Sequence, residues 1–107
     1  MSDQILAALG DATRRAMFNK ICRGPIPMSS LTKPLKISLA AVAQHIRVLE
    51  NCGLVKTEKS GRKRICHIDT NGFTVLEKWI KERRATWEKR FDQFEEIAAN
   101  ETGMIDL

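Results

Sequence analysis

The chain has 107 residues, of which 43% are hydrophobic and 29% charged, and its formal net charge is +5. That length allows one domain built on one modest core, and the composition excludes a disordered, fibrous or disulfide-scaffold protein. No apolar run is long enough to span a bilayer, and residues 1–20 lack the basic start and apolar middle of a secretory signal, so the expectation is a cytoplasmic protein with no membrane partner.

The charge is uneven along the chain. Residues 1–50 hold seven Lys/Arg against three Asp/Glu, residues 51–72 hold five against two, and residues 73–107 hold six against eight. The positive field therefore belongs to the first two-thirds, which points to a polyanion, with nucleic acid as the leading candidate.

In chain order, "SDQILAALG" (2–10) predicts a short helix with Ser2 or Asp3 as N-cap and Gly10 as its stop. "GDATRRAMFNKICRG" predicts a second helix capped by Asp11, with Met17, Phe18 and Ile21 on its apolar face and Gly24 at its end. "PIP" (25–27) reads as an extended connector, because each proline disfavours helix at the residue before it. "MSSLTKPL" predicts a brief third helix, capped by Ser29 or Ser30 and kept to about two turns by Pro34.

The turn "KIS" leads into "SLAAVAQHIRVLENCGLV" (38–55). This stretch predicts a fourth helix with Ser38 as N-cap, a buried stripe of Val42, Ile46 and Leu49, and Gly53 in the left-handed position at its end. Its other face is unusual: small at the start, then Gln44, His45 and Arg47, with no acid before Glu50. After it the period changes from helical to alternating. "LVKTEK" and "RKRICHI" read as two strands joined through "SGR". A long last helix follows, from about Asn71 or Phe73 to about Asn100. In it Leu76, Ile80, Arg83, Trp87, Phe91 (or Arg90), Phe94 and Ala98 (or Ile97) recur at alternating steps of about three and four, the seam of a helix packed against another helix.

Two helices across a tight turn followed by a β-hairpin make a winged helix-turn-helix, mainly α with a hairpin wing: about five helices, in the order α-α-α-α-β-β-α. Residues 1–107 form a single domain in this reading, with 4–72 as the DNA-binding core and 73–100 as a long dimerisation helix. The second helix of such a pair lies in the DNA major groove, its N-terminal residues facing the base edges. The small first turn of Ser38, Leu39, Ala40 and Ala41 lets the backbone approach. Gln44 can donate and accept on a base edge, with adenine its natural partner, and His45 and Arg47 can reach phosphates or bases. "KSGRKR" (59–64) sets Lys59, Arg62, Lys63 and Arg64 around the hairpin turn, where they can grip the backbone or enter the minor groove.

"ALGDATRRAMFNKI", "SLAAVAQHIRVLENCGLVKTEKSGRKR" and "EKWIKERRATWEKRFDQFEE" resemble the ArsR/SmtB-type winged-helix repressors over roughly residues 4–98. The tail with Trp79 and Trp87 is similar to a subgroup usually found without the metal ligands of the better-known sensors. The resemblance implies a homodimer joined through the first and last helices, which here means Ile5, Leu6, Leu9, Leu76, Ile80, Trp87, Phe91 and Phe94. It also implies double-stranded DNA with a pseudo-palindromic operator as partner, and repression released by a signal.

Metal sensing in that family needs thiolates, imidazoles or carboxylates clustered on the third or last helix. Here "MSSLTKPL" has no Cys or His and the last helix has neither, so no metal and no cofactor are expected. Cys22, Cys52 and Cys66 are expected to be reduced and to pack as small buried hydrophobes. A thiol-based redox switch would need an exposed thiol of low pKa, and Cys66 beside the basic wing is the best placed. Trp87 is expected as an interface anchor, with Trp79 one position off the stripe. No catalytic acid–base pair, phosphate loop or nucleophile motif is present, so an enzyme is not expected. The competing reading is a winged-helix module for protein interaction without specific DNA binding.

Overall fold

The structure is a computed structural model that describes the backbone of residues 2–106 and the side chains of residues 2–100. It contains five helices: α1 Ser2–Gly10, α2 Ala12–Cys22, α3 Thr32–Leu35, α4 Leu39–Asn51 and α5 Thr70–Asp106. Three strands complete it: β1 Ile26–Pro27, β2 Val55–Ser60 and β3 Lys63–Ile68. The winged helix-turn-helix is as expected: mainly helical, with one small antiparallel hairpin. None of the described helices is long and apolar enough to cross a membrane. The chain forms two compact units, the first ending at Leu76 and the second beginning at Glu77.

The first unit is organised by the junction of α1 and α2. Ile5 and Ala8 of α1 are buried, as are Met17, Phe18 and Ile21 of α2. A helix leaves its last carbonyls without helical donors, and α1 receives donors from the next helix. Arg14 Nε donates to the Ala8 carbonyl at 2.9 Å, Arg14 Nη2 to that of Ala7 at 3.4 Å, and Arg15 Nη1 to that of Leu9 at 3.1 Å. Asp11 caps α2 by accepting the Arg14 N–H at 2.9 Å. Ser2 and Asp3, by contrast, lie inside α1 rather than at its cap.

The "PIP" segment is more than a connector. Ile26–Pro27 forms an edge strand, paired antiparallel with β3 in the register Ile26↔Cys66 and Pro27↔Ile65. Proline is tolerated there because an edge strand needs donors on one side only. Met28–Leu31 then makes one 3-10 turn before α3, preceded by Pro27 and with no side-chain cap. Neither Ser29 nor Ser30 is the cap that the sequence suggested. Instead the Thr32 hydroxyl donates to the Ser29 carbonyl at 2.8 Å. Lys36 ends α3 in the left-handed region at φ 56°. The N–H groups of Lys36 and Ile37 return to the carbonyls of Lys33 and Thr32, both at 3.2 Å. This is a Schellman ending, in which glycine is the usual residue.

Helix α4 ends in the same way, with Gly53 at φ 80° and the Leu54 N–H returning to the Leu49 carbonyl at 3.0 Å. Strands β2 and β3 pair throughout, from Val55↔Ile68 to Ser60↔Lys63. That leaves Gly61 and Arg62 as a two-residue turn. Only Gly61 has positive φ, 62°, the pattern of a type II′ hairpin. Asp69 starts α5: its carboxylate accepts the Asn71 N–H at 3.0 Å, and its own N–H is held by the Leu54 carbonyl at 3.0 Å. Phe73, Val75 and Leu76 pack on the core, with Phe73 edge-on to Phe18 at 5.8 Å between ring centroids.

Gly72 fixes where α5 begins. Its N–H donates to the Gly53 carbonyl at 2.7 Å, and a Cβ placed on it would lie 2.7 Å from both that oxygen and Leu54 Cδ2. No side chain fits without moving backbone. The second unit is helical, continuing α5 from Glu77, and Ile80, Trp87, Phe91, Phe94 and Ile97 are all exposed on it.

Two substitutions should move stability in opposite directions, read as the thermal midpoint by circular dichroism. Gly72→Ala forces backbone apart and should cost about 1–3 kcal/mol. Lys36→Gly relieves a left-handed lysine and should add about 1 kcal/mol. A Gly72→Ala protein as stable as the parent would contradict the close approach of α5 to Gly53.

Candidate nucleic-acid interface

Helix α4 has two faces. At about 3.6 residues per turn, Val42, Ile46 and Leu49 share one stripe, and all three are fully buried. Ala40, Gln44 and Arg47 share the opposite stripe and are exposed. Leu39, at the first helical position, is 52% exposed, an apolar side chain that the core does not use. Ser38 sets the start of the helix: its hydroxyl oxygen accepts the Ala41 N–H at 3.1 Å and its carbonyl accepts the Val42 N–H at 3.0 Å.

Ala41 and His45 are half-buried on the shoulder between these stripes. His45 lies within electrostatic reach of Asp11. The Asp11 carboxyl is held below its usual range chiefly by the Arg14 N–H that it accepts, with smaller contributions from the charges of Arg14 and His45. So His45 sits to one side of the face that carries Gln44 and Arg47.

The hairpin presents Lys59, Arg62, Lys63 and Arg64, all exposed. They are not equivalent. Arg64 Nε donates to Thr57 Oγ1 at 3.1 Å, and Thr57 Oγ1 donates to Glu50 Oε2 at 3.1 Å. The register Thr57↔Cys66 and Lys59↔Arg64 sets Thr57 and Arg64 diagonally on one face of the hairpin. Val55 and Cys66 on that face are buried, so it is the face turned to the core. On the other face His67 Nε2 lies 3.5 Å from Glu58 Oε1 without forming a hydrogen bond.

Two exposed cations not anticipated from the sequence precede helix α4 in the chain. Lys33 and Lys36 are exposed on α3 and on the turn directly ahead of Ser38. Their signal was the "KPLK" that precedes the cap, where the first helix of such a motif crosses the DNA backbone. Arg14 and Arg15, by contrast, spend hydrogen bonds on the end of α1.

Among the expected interface residues, Ile5 is 1% exposed and packs in the core of the first unit. Leu6 is exposed, and Leu9 and Leu76 are half-buried against the core. In the second unit Ile80, Phe91 and Phe94 are exposed, and Trp87 is 68% exposed. The rings of Phe91 and Phe94 stand 6.4 Å apart. Trp79 is half-buried, with the Arg83 guanidinium 5.3 Å from its ring centroid, a cation–π contact worth about 0.5–1 kcal/mol at an exposed site.

Comparison with known proteins points the same way. The profile of the family described as "Bacterial regulatory protein, arsR family" matches residues 11–57. The HTH-type transcriptional regulator Rv2034 of Mycobacterium tuberculosis is 35% identical over 74 residues, which cover 69% of each chain. The uncharacterized HTH-type transcriptional regulator YuzN of Bacillus subtilis is 32% identical over 87 residues, covering 74% of this chain and 95% of its own. Among solved structures, an ArsR-like transcriptional regulator from Rhodococcus sp. RHA1 superposes with a TM-score of 0.78 at 29% identity, over 91% of this chain and 92% of that one. A crystal structure of an ArsR family transcriptional regulator superposes at 0.74 with 41% identity, over 80% and 89%.

One of the cysteines departs from the expectation of burial. Cys22 is exposed rather than buried, because it lies in the last turn of α2 beyond the residues that pack. Cys66 is fully buried, and its thiol is pushed up to about 11 by that burial first and by the nearby Glu50 charge second. Cys52 is half-buried, with Sγ donating to the Leu49 carbonyl at 3.4 Å. Burial also raises the Cys22 and Cys52 thiols. The redox reading therefore loses the exposed, acidic thiol on which it rested. Two outcomes follow. Under native conditions an alkylating reagent should label Cys22 first and Cys66 only on unfolding, as read by mass spectrometry. Because the folded Cys66 thiol binds its proton more tightly than the ordinary thiol of pKa 9.0, its contribution to stability is complete below about pH 9 and lost as pH rises through about 11.

Proposed function

The chain belongs to the arsR family of bacterial regulatory proteins, DNA-binding helix-turn-helix transcriptional regulators and not enzymes, and from that premise we propose that it is a homodimeric repressor acting in the cytoplasm. In this reading Ser38, Leu39, Ala40, Ala41, Gln44 and Arg47 enter the major groove, with His45 at the edge of the contact. Lys59, Arg62, Lys63 and Arg64 grip the phosphate backbone beside it. Each copy covers one half of a pseudo-palindromic operator.

The observation that carries the proposal is the exposed stripe of Ala40, Gln44 and Arg47 on α4, free of acids and linked through Glu50 to a cationic wing. A carboxylate on that stripe would repel phosphate; the first acid of α4 is Glu50, and it is already hydrogen-bonded to Thr57. Residues 4–72 would bind DNA and residues 73–100 would join two copies. Leu6, Leu9, Leu76, Ile80, Trp87, Phe91 and Phe94 form the interface set. Aromatic side chains exposed on one helix call for a partner in water, and two copies of one helix supply identical apolar stripes.

The test is fluorescence anisotropy with duplex DNA from upstream of the protein's own gene and a scrambled duplex, over a range of salt. Specific binding orders of magnitude above the scrambled duplex is expected. Replacing Arg62 and Lys63 by Ala should weaken it and lower the slope of log affinity against log salt by about 2. Equal weak binding to both duplexes would favour the protein-interaction reading. Trp87→Ala should shift sedimentation at micromolar protein from dimer toward monomer, and an unchanged dimer would remove Trp87 from the interface.

A further inference from the structure

The two hydrogen bonds that join Arg64, Thr57 and Glu50 form a directed chain. A threonine hydroxyl has one proton and two lone pairs. Here the proton goes to Glu50 Oε2 and a lone pair takes the Arg64 Nε–H, both at 3.1 Å. The order cannot be reversed, because an arginine only donates and a carboxylate only accepts. Glu50 lies one residue before the end of α4, Thr57 in β2 and Arg64 in β3. The chain therefore runs from the reading helix across both strands of the wing. The charges of Glu50 and Arg64 both act on the buried thiol of Cys66, the strand partner of Thr57.

All three side chains are at the surface, where such bonds add little to the stability of a fold. Their effect is on geometry. Arginine carries five N–H donors in a rigid fork, and Thr57 engages only Nε. The outer edge, with both terminal nitrogens, is left for a phosphate. A direct ion pair would have set the Glu50 carboxylate on the guanidinium itself; the interposed hydroxyl holds it one side chain farther away. We propose that Glu50 and Thr57 are positioning residues for DNA binding, holding the Arg64 guanidinium at a fixed place relative to α4 so that wing and reading helix engage one duplex together. The inference rests on the proposed role of the wing.

The test uses the full chain and the same upstream and scrambled duplexes, with Arg64→Ala, Thr57→Val, Thr57→Ser, Glu50→Gln, the double variant Thr57→Val/Arg64→Ala, and Arg62→Ala as control. Arg64→Ala should weaken binding and lower the salt slope by about 1, the mark of a lost phosphate contact. Thr57→Val should weaken binding about three- to tenfold while leaving the salt slope near that of the parent, since no cation is removed. Glu50→Gln, which keeps an oxygen that accepts from the Thr57 hydroxyl and removes a negative charge, should bind at least as well as the parent, and Thr57→Ser, which keeps the hydroxyl, should bind as the parent does. In the Arg64→Ala background Thr57→Val should add nothing, whereas its effect should multiply with that of Arg62→Ala. Thermal midpoints within a few degrees of the parent would tie these losses to binding rather than to folding.

Parent-like binding by Thr57→Val, or losses at Thr57 and Arg64 that multiply, would overturn the positioning role while leaving the wing reading intact. Parent-like binding by Arg64→Ala and Arg62→Ala together would overturn the wing reading, and this inference with it.

Discussion

Everything in the first unit depends on holding one helix by one side only. Helix α4 must bury Val42, Ile46 and Leu49 firmly enough that Ala40, Gln44 and Arg47, on its far side, need no support from the protein. Each buried aliphatic side chain contributes about 1.5–3 kcal/mol, so three in one stripe anchor a helix of 13 residues that would be marginal by itself. Both ends are then closed locally, by the Ser38 hydroxyl at the start and the Gly53 turn at the finish. What remains outside is a face free to meet something else.

The basic residues divide in the same way into those that hold the fold and those left over. Arg14 and Arg15 close the carbonyl end of α1, which lacks a basic residue of its own in its last turn. Arg64 is half committed, through one of its nitrogens, to Thr57. Lys33, Lys36, Arg47, Lys59, Arg62 and Lys63 are exposed. Net charge alone overstates the number of side chains free to meet a polyanion, because Arg14 and Arg15 are tied to a helix end. The family motif "ALGDATRR" has its physical basis here: Asp11 caps one helix while the two arginines close the other.

The sequence showed most plainly what is periodic and locally capped. Helix α4 was legible because apolar spacing, Ser38 and Gly53 agree, and the hairpin because alternation resumes on both sides of Ser60–Gly61. Features made by distant partners were not legible. Two residues of β1 have no periodicity, and only the partner strand makes Ile26–Pro27 a strand. Asp69 caps α5 directly after a strand, where no helical pattern has begun. Gly72 looks like a loop residue until the Gly53 carbonyl is seen 2.7 Å from where its Cβ would be. Ile5 has the spacing of an interface residue but faces the monomer's own core, since the helical period gives a face and not the identity of what covers it. The same ambiguity, in reverse, hid the exposure of Cys22. At the site, the residue types and the two segments that carry them were legible; the unequal standing of the wing cations was not, because it depends on a hydrogen bond between β2 and β3.

The second unit sets a different physical problem from the first. A helix in water keeps an apolar stripe uncovered only at a cost, and Trp87, Phe91, Phe94 and Ile97 are each more than half exposed. The neighbouring side chains are mixed in sign, with Lys89 and Arg90 beside Glu88 and Asp92, so charge neither forbids nor selects a partner there. Apolar area must do the selecting, and aromatic rings do so at low entropic cost because they have few rotatable bonds. On the proposed reading that area is covered by a second copy, and the consequence reaches back to α4. One reading helix spans too few base pairs to single out a site in a genome, whereas two helices fixed by a two-fold axis double the sequence read and match the symmetry of the DNA. The exposed stripe of α5 would then supply specificity as well as association, through a surface that touches no base.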